Sequence, residues 1–191
     1  YNSDMVLYFL SNYLSLHKPP KNMIDNNIRT DYNKLRHLIR LDKRFGTNAS
    51  IIQEIVNNGE TTAVIKDAFP AEDITKPDNF KSLLYYFGLL SIKGTKRGDT
   101  LLGVPNLTVR EQLYTYLIEA YKEADVFSIE LYKLHDLVKD MAYDGDWKPV
   151  FEYFSSELER QSAIREFIEG EAHVKGFLLA YLGLTRTYII Y

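Results

Sequence analysis

Apolar residues recur along most of the chain at intervals of three and four positions, which is the spacing of one face of an α-helix. This pattern predicts helices over Ser3–Leu16, Thr30–Leu41, Ser50–Asn57 and Asn79–Phe87, followed by a helical second half from Thr108 to about Leu184. Gly88 is expected to end the helix before it, because glycine readily adopts the left-handed conformation in which many helices stop. The pattern therefore predicts a mainly helical fold.

A different pattern separates the two halves of the chain. Leu89–Lys93 and Thr100–Val104 are short β-prone runs, and the six residues Gly94–Asp99 between them include two glycines. Such an arrangement is typical of a β-hairpin. Thr61–Ile65 is rich in β-branched residues and predicts one further short strand. The expected fold class is mainly α with a small antiparallel β element, as a winged-helix-like module flanked by helices.

Polar residues at the expected helix starts predict the caps. Asp78 precedes the helix that Gly88 ends, and Thr108 with Glu111 matches the capping box that opens a long helix. In the second half, Asp144-Gly145-Asp146 interrupts the helical spacing, and Asp146 is expected to cap the helix that follows.

Composition limits the classes of partner. The net charge of −3 provides no general attraction to nucleic acid or to anionic membranes, and the absence of cysteine excludes disulfides and thiolate metal sites. No apolar run approaches the ~20 residues of a membrane-spanning helix. We therefore expect a cytoplasmic protein with no membrane partner. The start at Tyr1 and the β-prone run Thr187–Tyr191 at the end lead us to expect a segment of a longer protein.

Motifs for catalysis are weak in this sequence. Gly94–Gly98 contains glycines and a lysine, but it lies between two predicted strands rather than before the helix that a phosphate-binding loop requires. The turn at Asp144–Asp146 is too short for a calcium loop. No histidine has a second histidine four positions away, which favours solvated or half-buried side chains over metal ligands. The residues alone therefore predict no catalytic site.

A local positive charge bias accompanies the predicted hairpin. The order of helix, short strand, helix and hairpin from Ser50 to Val104 is that of a winged helix, a DNA-binding module. Between Asn79 and Glu111 the chain has five cations and two carboxylates, and phosphate contacts require such cations. The candidate nucleic-acid-binding residues are Lys81, Lys93, Lys96, Arg97 and Arg110. The alternative is a module that docks another protein or domain, since the second helix has few polar groups suited to reading bases.

Several stretches of the sequence resemble one known family. YNSDMVLYFL, FKSLLYYFGLLSI, VPNLTVREQL and EGEAHVKGFLLAYLGL are similar to segments of a large bacterial family of uncharacterised proteins. Its members join an N-terminal AAA-ATPase-like domain to a C-terminal PD-(D/E)XK nuclease-like domain. The resemblance implies four parts. Residues 1–46 would end the ATPase-like region, 47–107 would form the winged-helix-like module, 108–160 a helical connector, and 161–191 the first helix and strand of the nuclease-like domain.

The resemblance also carries expectations about function. It implies ATP and Mg²⁺ as cofactors of the longer protein, bound by motifs outside this segment, and no cofactor within it. Glu171 best matches the family's acidic residue on the first nuclease helix, with Glu169 and Glu166 as competitors. In that family the Walker motifs of the ATPase lie upstream of this segment, and the nuclease Asp and Glu-x-Lys lie downstream. Because a lone carboxylate does not hold a catalytic Mg²⁺, neither the ATPase site nor the nuclease site would be complete here. We expect a non-enzymatic connector or regulatory segment that contacts the flanking domains, or alternatively a nucleic-acid-binding winged helix that serves the nuclease.

Overall fold

The computed structural model describes residues 3–20, 46–161 and 170–187 of the chain. The described residues form seven α-helices and three β-strands. The helices are α1 Ser3–Leu16, α2 Thr47–Asn58, α3 Pro77–Tyr86, α4 Leu107–Glu123, α5 Leu131–Asp144, α6 Lys148–Arg160 and α7 Glu171–Leu184. The strands are β1 Glu60–Ala63, β2 Ser91–Lys96 and β3 Asp99–Gly103. This confirms the predicted mainly helical fold with a small antiparallel β element. The winged-helix-like description stays a prediction.

The three strands form one antiparallel sheet in the order β1-β3-β2. Strand β3 lies in the middle, where Leu102 pairs with Thr61 of β1 on one side and with Ile92 of β2 on the other. The prediction of a six-residue hairpin loop is wrong. Strand β2 extends to Lys96 and β3 begins at Asp99, which leaves a two-residue turn. Gly94, assigned to the loop, instead pairs with Leu101 next to a β-bulge.

The connection from α3 to the hairpin confirms Gly88 as a helix stop. Gly88 has a φ of 73°, and the backbone N–H groups of Leu89 and Leu90 both donate to the carbonyl of Leu84, at 2.8 and 3.1 Å. Leu89 and Leu90 were expected in a strand, but both are buried beside α3 and the strand begins only at Ser91. Their amides are used by the helix end and are therefore not free for a ladder.

The predicted caps are wrong at three helices. Helix α3 begins at Pro77, and the Asp78 carboxylate instead accepts a 3.4 Å hydrogen bond from the backbone N–H of Val64. Proline at the first position needs no cap partner for its own nitrogen. Helix α4 is capped by Asn106, whose side-chain oxygen accepts a 2.9 Å bond from the N–H of Val109. At α6 the N-cap residue is Trp147, which makes no side-chain capping bond.

The second half is less continuously helical than predicted. Between α4 and α5 the chain leaves the helix at Asp125, where φ is 53°, and Val126, Phe127 and Ile129 enter the core in a non-helical segment. The break at Asp144-Gly145-Asp146 is a helix–helix turn, as expected, with Gly145 in the left-handed conformation. The predicted helix at Thr30–Leu41 lies outside the described residues, as do Glu166, Glu169 and residues 188–191.

The core joins the middle of the chain to α7. Tyr121 of α4 packs against Phe177 of α7 with ring centroids 4.4 Å apart, and Phe127 lies 4.7 Å from Phe177 and 5.6 Å from Tyr181. All four rings are almost fully buried. Helix α2 packs on both α4 and α7, and α4 also packs on α7, so each of the three helices contacts the other two. Among the helices of the described ranges, none is long and apolar enough to cross a membrane.

Candidate functional site at the hairpin tip and the α2–α7 joint

The tip of the β2–β3 hairpin is a tight turn that presents cations to solvent. Arg97 and Gly98 have φ values of 55° and 95°, and Lys96 pairs with Asp99 across the turn. Two consecutive residues with positive φ are typical of a type I′ turn, whose twist matches that of the flanking strands. The side chains of Lys96 and Arg97 are exposed at this tip.

Lys93 lies on the same hairpin at the β-bulge. Ile92 pairs with Leu102 and Gly94 with Leu101, so Lys93 is the extra residue on β2. A Cβ atom added to Gly103 would lie 2.9 Å from Cγ of Lys93, which places the aliphatic stem of this lysine across the glycine. The hairpin therefore holds three of the five predicted cations, Lys93, Lys96 and Arg97.

A cleft of about 820 Å³ lies beside the tip. Its walls come from the end of α2, from β1, from the hairpin and from Lys175 of α7. Lys96 forms a 3.0 Å ion pair with Glu60, and the Thr61 hydroxyl donates a 2.7 Å hydrogen bond to Glu54. The lining residues include three cations and three carboxylates, so the cleft is balanced in charge rather than basic.

The other two predicted cations are engaged elsewhere. Lys81 donates a 3.1 Å hydrogen bond to the carbonyl oxygen of Thr62 and lies 3.9 Å from Glu54, and its side chain is only 12% exposed. Arg110 lies on α4, which follows β3 in the chain. At the usual rise per strand residue, the far end of β3 at Gly103 is already ~13 Å from the tip. Burial raises the pKa of Tyr114, and the nearby Arg110 guanidinium partly offsets this rise. The five cations thus do not form one patch.

Sequence reasoning missed Lys175 as a neighbour of the tip. This residue is exposed on α7 and lines the cleft. It reaches the cleft because α7 packs on α2, and no local pattern in the sequence indicates that contact. Glu171, the candidate acidic residue of the nuclease-like helix, is the exposed first residue of α7. A carboxylate in the first turn is favourable there because it faces the positive end of the helix dipole.

A joint between α2 and α7 adjoins the cleft. The backbone carbonyl of Ala172 accepts hydrogen bonds from Gln53 Nε2 at 3.3 Å and from Asn57 Nδ2 at 2.9 Å. The Gln53 side chain continues to α4, since its Oε1 accepts a 3.1 Å bond from the buried Tyr121 hydroxyl. Gly176 lets the helices come close, because an added Cβ would lie 3.1 Å from both Gln53 and Tyr121.

Within the described ranges, no three histidine, cysteine or acidic side chains converge on a common point.

Comparisons with known proteins give no match: no protein-family model fits the chain, and neither the curated proteins nor the solved structures include a similar one. The resemblance to the ATPase-like and nuclease-like family therefore stays a prediction.

Proposed function

We propose that this chain is a non-enzymatic connector module that fixes the relative position of the segments on its two sides. The observation that supports this role is the joint between α2 and α7. Gln53 and Asn57 lie 119 and 115 positions before Ala172, yet both donate to its carbonyl oxygen. The joint thus connects α2, the helix before the hairpin, to α7, the last helix of the described residues.

The packing of the joint suits a rigid link. The contact of Gly176 with Gln53 and Tyr121 leaves no space for even one added methyl group without a shift of its neighbours. Interiors packed to this density resist deformation, so a force on one helix moves the other. In this proposal the partners are the flanking domains of the same protein, an ATPase-like region before the segment and a nuclease-like domain after it. ATP and Mg²⁺ act in those domains.

A distance measurement tests the rigidity. The chain has no cysteine, so Asn58→Cys and Lys175→Cys, both at exposed positions near the joint, accept spin labels without background. We expect one narrow distance distribution in this double variant, and a broader one when Gly176→Val is added. The control is Ala142→Val on the exposed side of α5. A broad distribution before any joint substitution would overturn the connector role.

The sequence of the surrounding gene tests the assignment of the flanking domains. A Walker motif upstream and an Asp…Glu-x-Lys pattern downstream would support them. The absence of both would remove the ATPase-like and nuclease-like domains from the proposal while leaving the joint itself to the distance measurement.

DNA binding is a second candidate function, favoured by the topology of the hairpin module. Helix α2, strand β1, helix α3 and the β2–β3 hairpin follow one another in that order, and β3 lies between the other strands. This succession is compatible with a winged helix, in which the hairpin contacts the DNA backbone. Arg97 at the turn and Lys93 behind it are exposed cations for phosphate contacts, and Lys96 joins them by exchanging its exposed ion pair with Glu60 for a phosphate.

Salt-dependent binding to duplex DNA tests this second function. We expect affinity for a labelled duplex to fall with salt, and the variant Lys93→Ala/Lys96→Ala/Arg97→Ala to lower the salt slope by about 3 if each cation contacts one phosphate. Lys81 is left unchanged because its ammonium group bonds to Thr62. The matched control, Lys122→Ala/Lys139→Ala/Lys148→Ala, removes three exposed charges elsewhere. No binding at low salt would exclude the function.

A further inference from the structure

The turn between α5 and α6 exposes three aromatic side chains. Tyr143 is 83% exposed, Trp147 60% and Phe151 44%, and the rings of Trp147 and Phe151 meet edge to face with centroids 6.0 Å apart. We call Tyr143, Trp147 and Phe151 the turn surface. Trp147 and Phe151 lie together, and Tyr143 is near the end of α5 just before the turn. Exposed apolar side chains that lie together, unlike single ones, mark interaction sites on soluble proteins.

The local fold does not require these aromatic residues. Trp147 is the N-cap residue of α6, where Ser, Thr, Asp or Asn would satisfy a free backbone N–H, and its side chain makes no capping bond. Helix α6 already buries its core face through Val150 and Phe154, while Phe151 points away from that face. Trp147 and Phe151 therefore contribute an exposed contact with each other rather than to the core.

The chain segment that contains the turn surface is rich in carboxylates. Residues 136–152 include five acidic side chains and two lysines. Both lysines pair locally, Lys139 with Asp136 at 4.0 Å and Lys148 with Glu152 at 3.4 Å. The other three carboxylates, Asp140, Asp144 and Asp146, are exposed and form no ion pair with a cation of the described ranges.

We propose that the turn surface docks a cationic amphipathic segment of a protein, with large apolar side chains beside lysine or arginine. The rings accept apolar anchors and also attract cations over their faces. The three carboxylates complement positive charge and repel the phosphates of nucleic acids and anionic lipids, so the charge favours a protein segment. The turn surface shares no residue with the joint between α2 and α7, so failure of the connector role would leave this docking role unaffected.

Trp147 reports binding directly because it is the only tryptophan in the chain. The probe is a synthetic peptide of leucine and lysine whose leucines occupy one helical face. Docking removes the indole from water, so we expect a saturable blue shift of its emission that weakens with added salt. The matched peptide with glutamate in place of lysine is expected to cause no shift.

Two variants separate charge from apolar contact. Asp140→Asn/Asp144→Asn/Asp146→Asn removes the three carboxylates and is expected to weaken binding about tenfold, from about twofold for each exposed charge. Phe151→Ala removes an apolar contact and is expected to weaken it by a similar factor. Because all these side chains are exposed, the thermal unfolding of both variants should match that of the unmodified chain.

Matched controls place the binding on the turn surface. Glu72→Gln/Asp125→Asn/Glu159→Gln removes three exposed charges elsewhere, and Tyr132→Ala removes an 81% exposed ring at the other end of α5. Both should bind the lysine peptide unchanged. Equal binding of the glutamate peptide would overturn the proposal. So would equal weakening by the two charge variants, or a larger Trp147 shift with anionic vesicles or duplex DNA than with the lysine peptide.

Discussion

The hydroxyl group of Tyr121 donates a 3.1 Å hydrogen bond to Oε1 of Gln53 between α4 and α2. Both side chains are buried, and Gln53 passes the connection to Ala172 of α7 through its Nε2 group. One line of hydrogen bonds therefore crosses the three helices that form the joint. Buried polar links of this kind favour one arrangement of helices, because any slip leaves a polar group unpaired.

Replacing Tyr121 with phenylalanine tests this link. The variant keeps the ring but leaves Oε1 of Gln53 buried without that donor, so we expect the free energy of unfolding to fall by about 1–2 kcal/mol in urea titrations. Tyr132→Phe, at a site 81% exposed, is the control and should leave stability unchanged. Equal stability of the two variants would mean that the hydrogen bond between Tyr121 and Gln53 does not stabilise the joint.

Gly183 is a second close contact, between α7 and α4. A Cβ atom at this position would lie within 2.9 Å of three carbon atoms of the Tyr114 ring. Gly183→Ala is therefore expected to lower the free energy of unfolding by about 1–3 kcal/mol through overpacking. Adding Tyr114→Leu should cost less in the Gly183→Ala background than in the unmodified chain. Purely additive effects in this double-mutant cycle would show that the two residues do not collide.

The buried tyrosines predict loss of stability at high pH. Burial raises the pKa of Tyr181 to about 12, whereas the pKa of a tyrosine in the unfolded chain is about 10. As pH rises, the unfolded state loses its proton first. The contribution of Tyr181 is therefore complete below pH ~10 and lost as pH rises through the folded-state pKa.

Urea titrations across this pH range check that prediction. By pH ~12 the Tyr181 contribution should have fallen by about 2 kcal/mol, so the total fall in the free energy of unfolding between pH ~10 and pH ~12 should be smaller by that amount in Tyr181→Phe. Tyr143→Phe, at an 83% exposed site, is the control and should keep the full slope. If the Tyr181→Phe chain keeps the full slope as well, Tyr181 is not the group that titrates. Burial also raises the pKa of Tyr121, so part of the slope should persist in the Tyr181→Phe chain.

The start of α4 gives a prediction about capping. Asn106 supplies the side-chain oxygen that bonds to Val109, while Thr108 lies inside the helix. Asn106→Ala should therefore lower the free energy of unfolding by about 1 kcal/mol, and Thr108→Ala by less. Thermal unfolding of the two variants distinguishes them. The reverse order of stabilities would restore the capping box at Thr108 and Glu111.

Local chemistry made much of the fold predictable. Gly88 ended its helix as expected because left-handed backbone suits glycine, and the break at Asp144-Gly145-Asp146 was also expected. The hairpin followed from β-prone runs around a glycine-containing loop. Caps were less predictable, since several polar residues compete near each helix start. Asn106 and Thr108 are both good capping residues, and in the structure Asn106 is the N-cap while Thr108 lies within the first turn.

The candidate site was less predictable than the fold. The bonds of Gln53 and Asn57 to Ala172 join positions more than a hundred residues apart, and nothing near Gln53 in the sequence indicates α7. For the same reason Lys175 was not expected beside the hairpin. Lys81 was grouped with the hairpin cations, but its ammonium group instead bonds to the carbonyl oxygen of Thr62. Charge counts along a chain do not show which cations are free.

The hairpin turn allows charge and stability to be separated at Arg97. This residue has a φ of 55°, which an arginine adopts at some cost, and it precedes Gly98 with a φ of 95°. Asparagine before glycine is the pair that type I′ turns prefer. Arg97→Asn is therefore expected to raise the free energy of unfolding slightly, by about 0.5 kcal/mol, while it removes the positive charge at the tip. Arg97→Val, which also removes the charge, should lower stability because β-branched residues fit this conformation poorly.

Urea titrations of the two variants give the comparison, and equal stabilities would mean that the turn does not hold Arg97 in the left-handed conformation. If DNA binding falls equally in both variants although their stabilities differ, the loss comes from the missing charge and not from a disturbed hairpin.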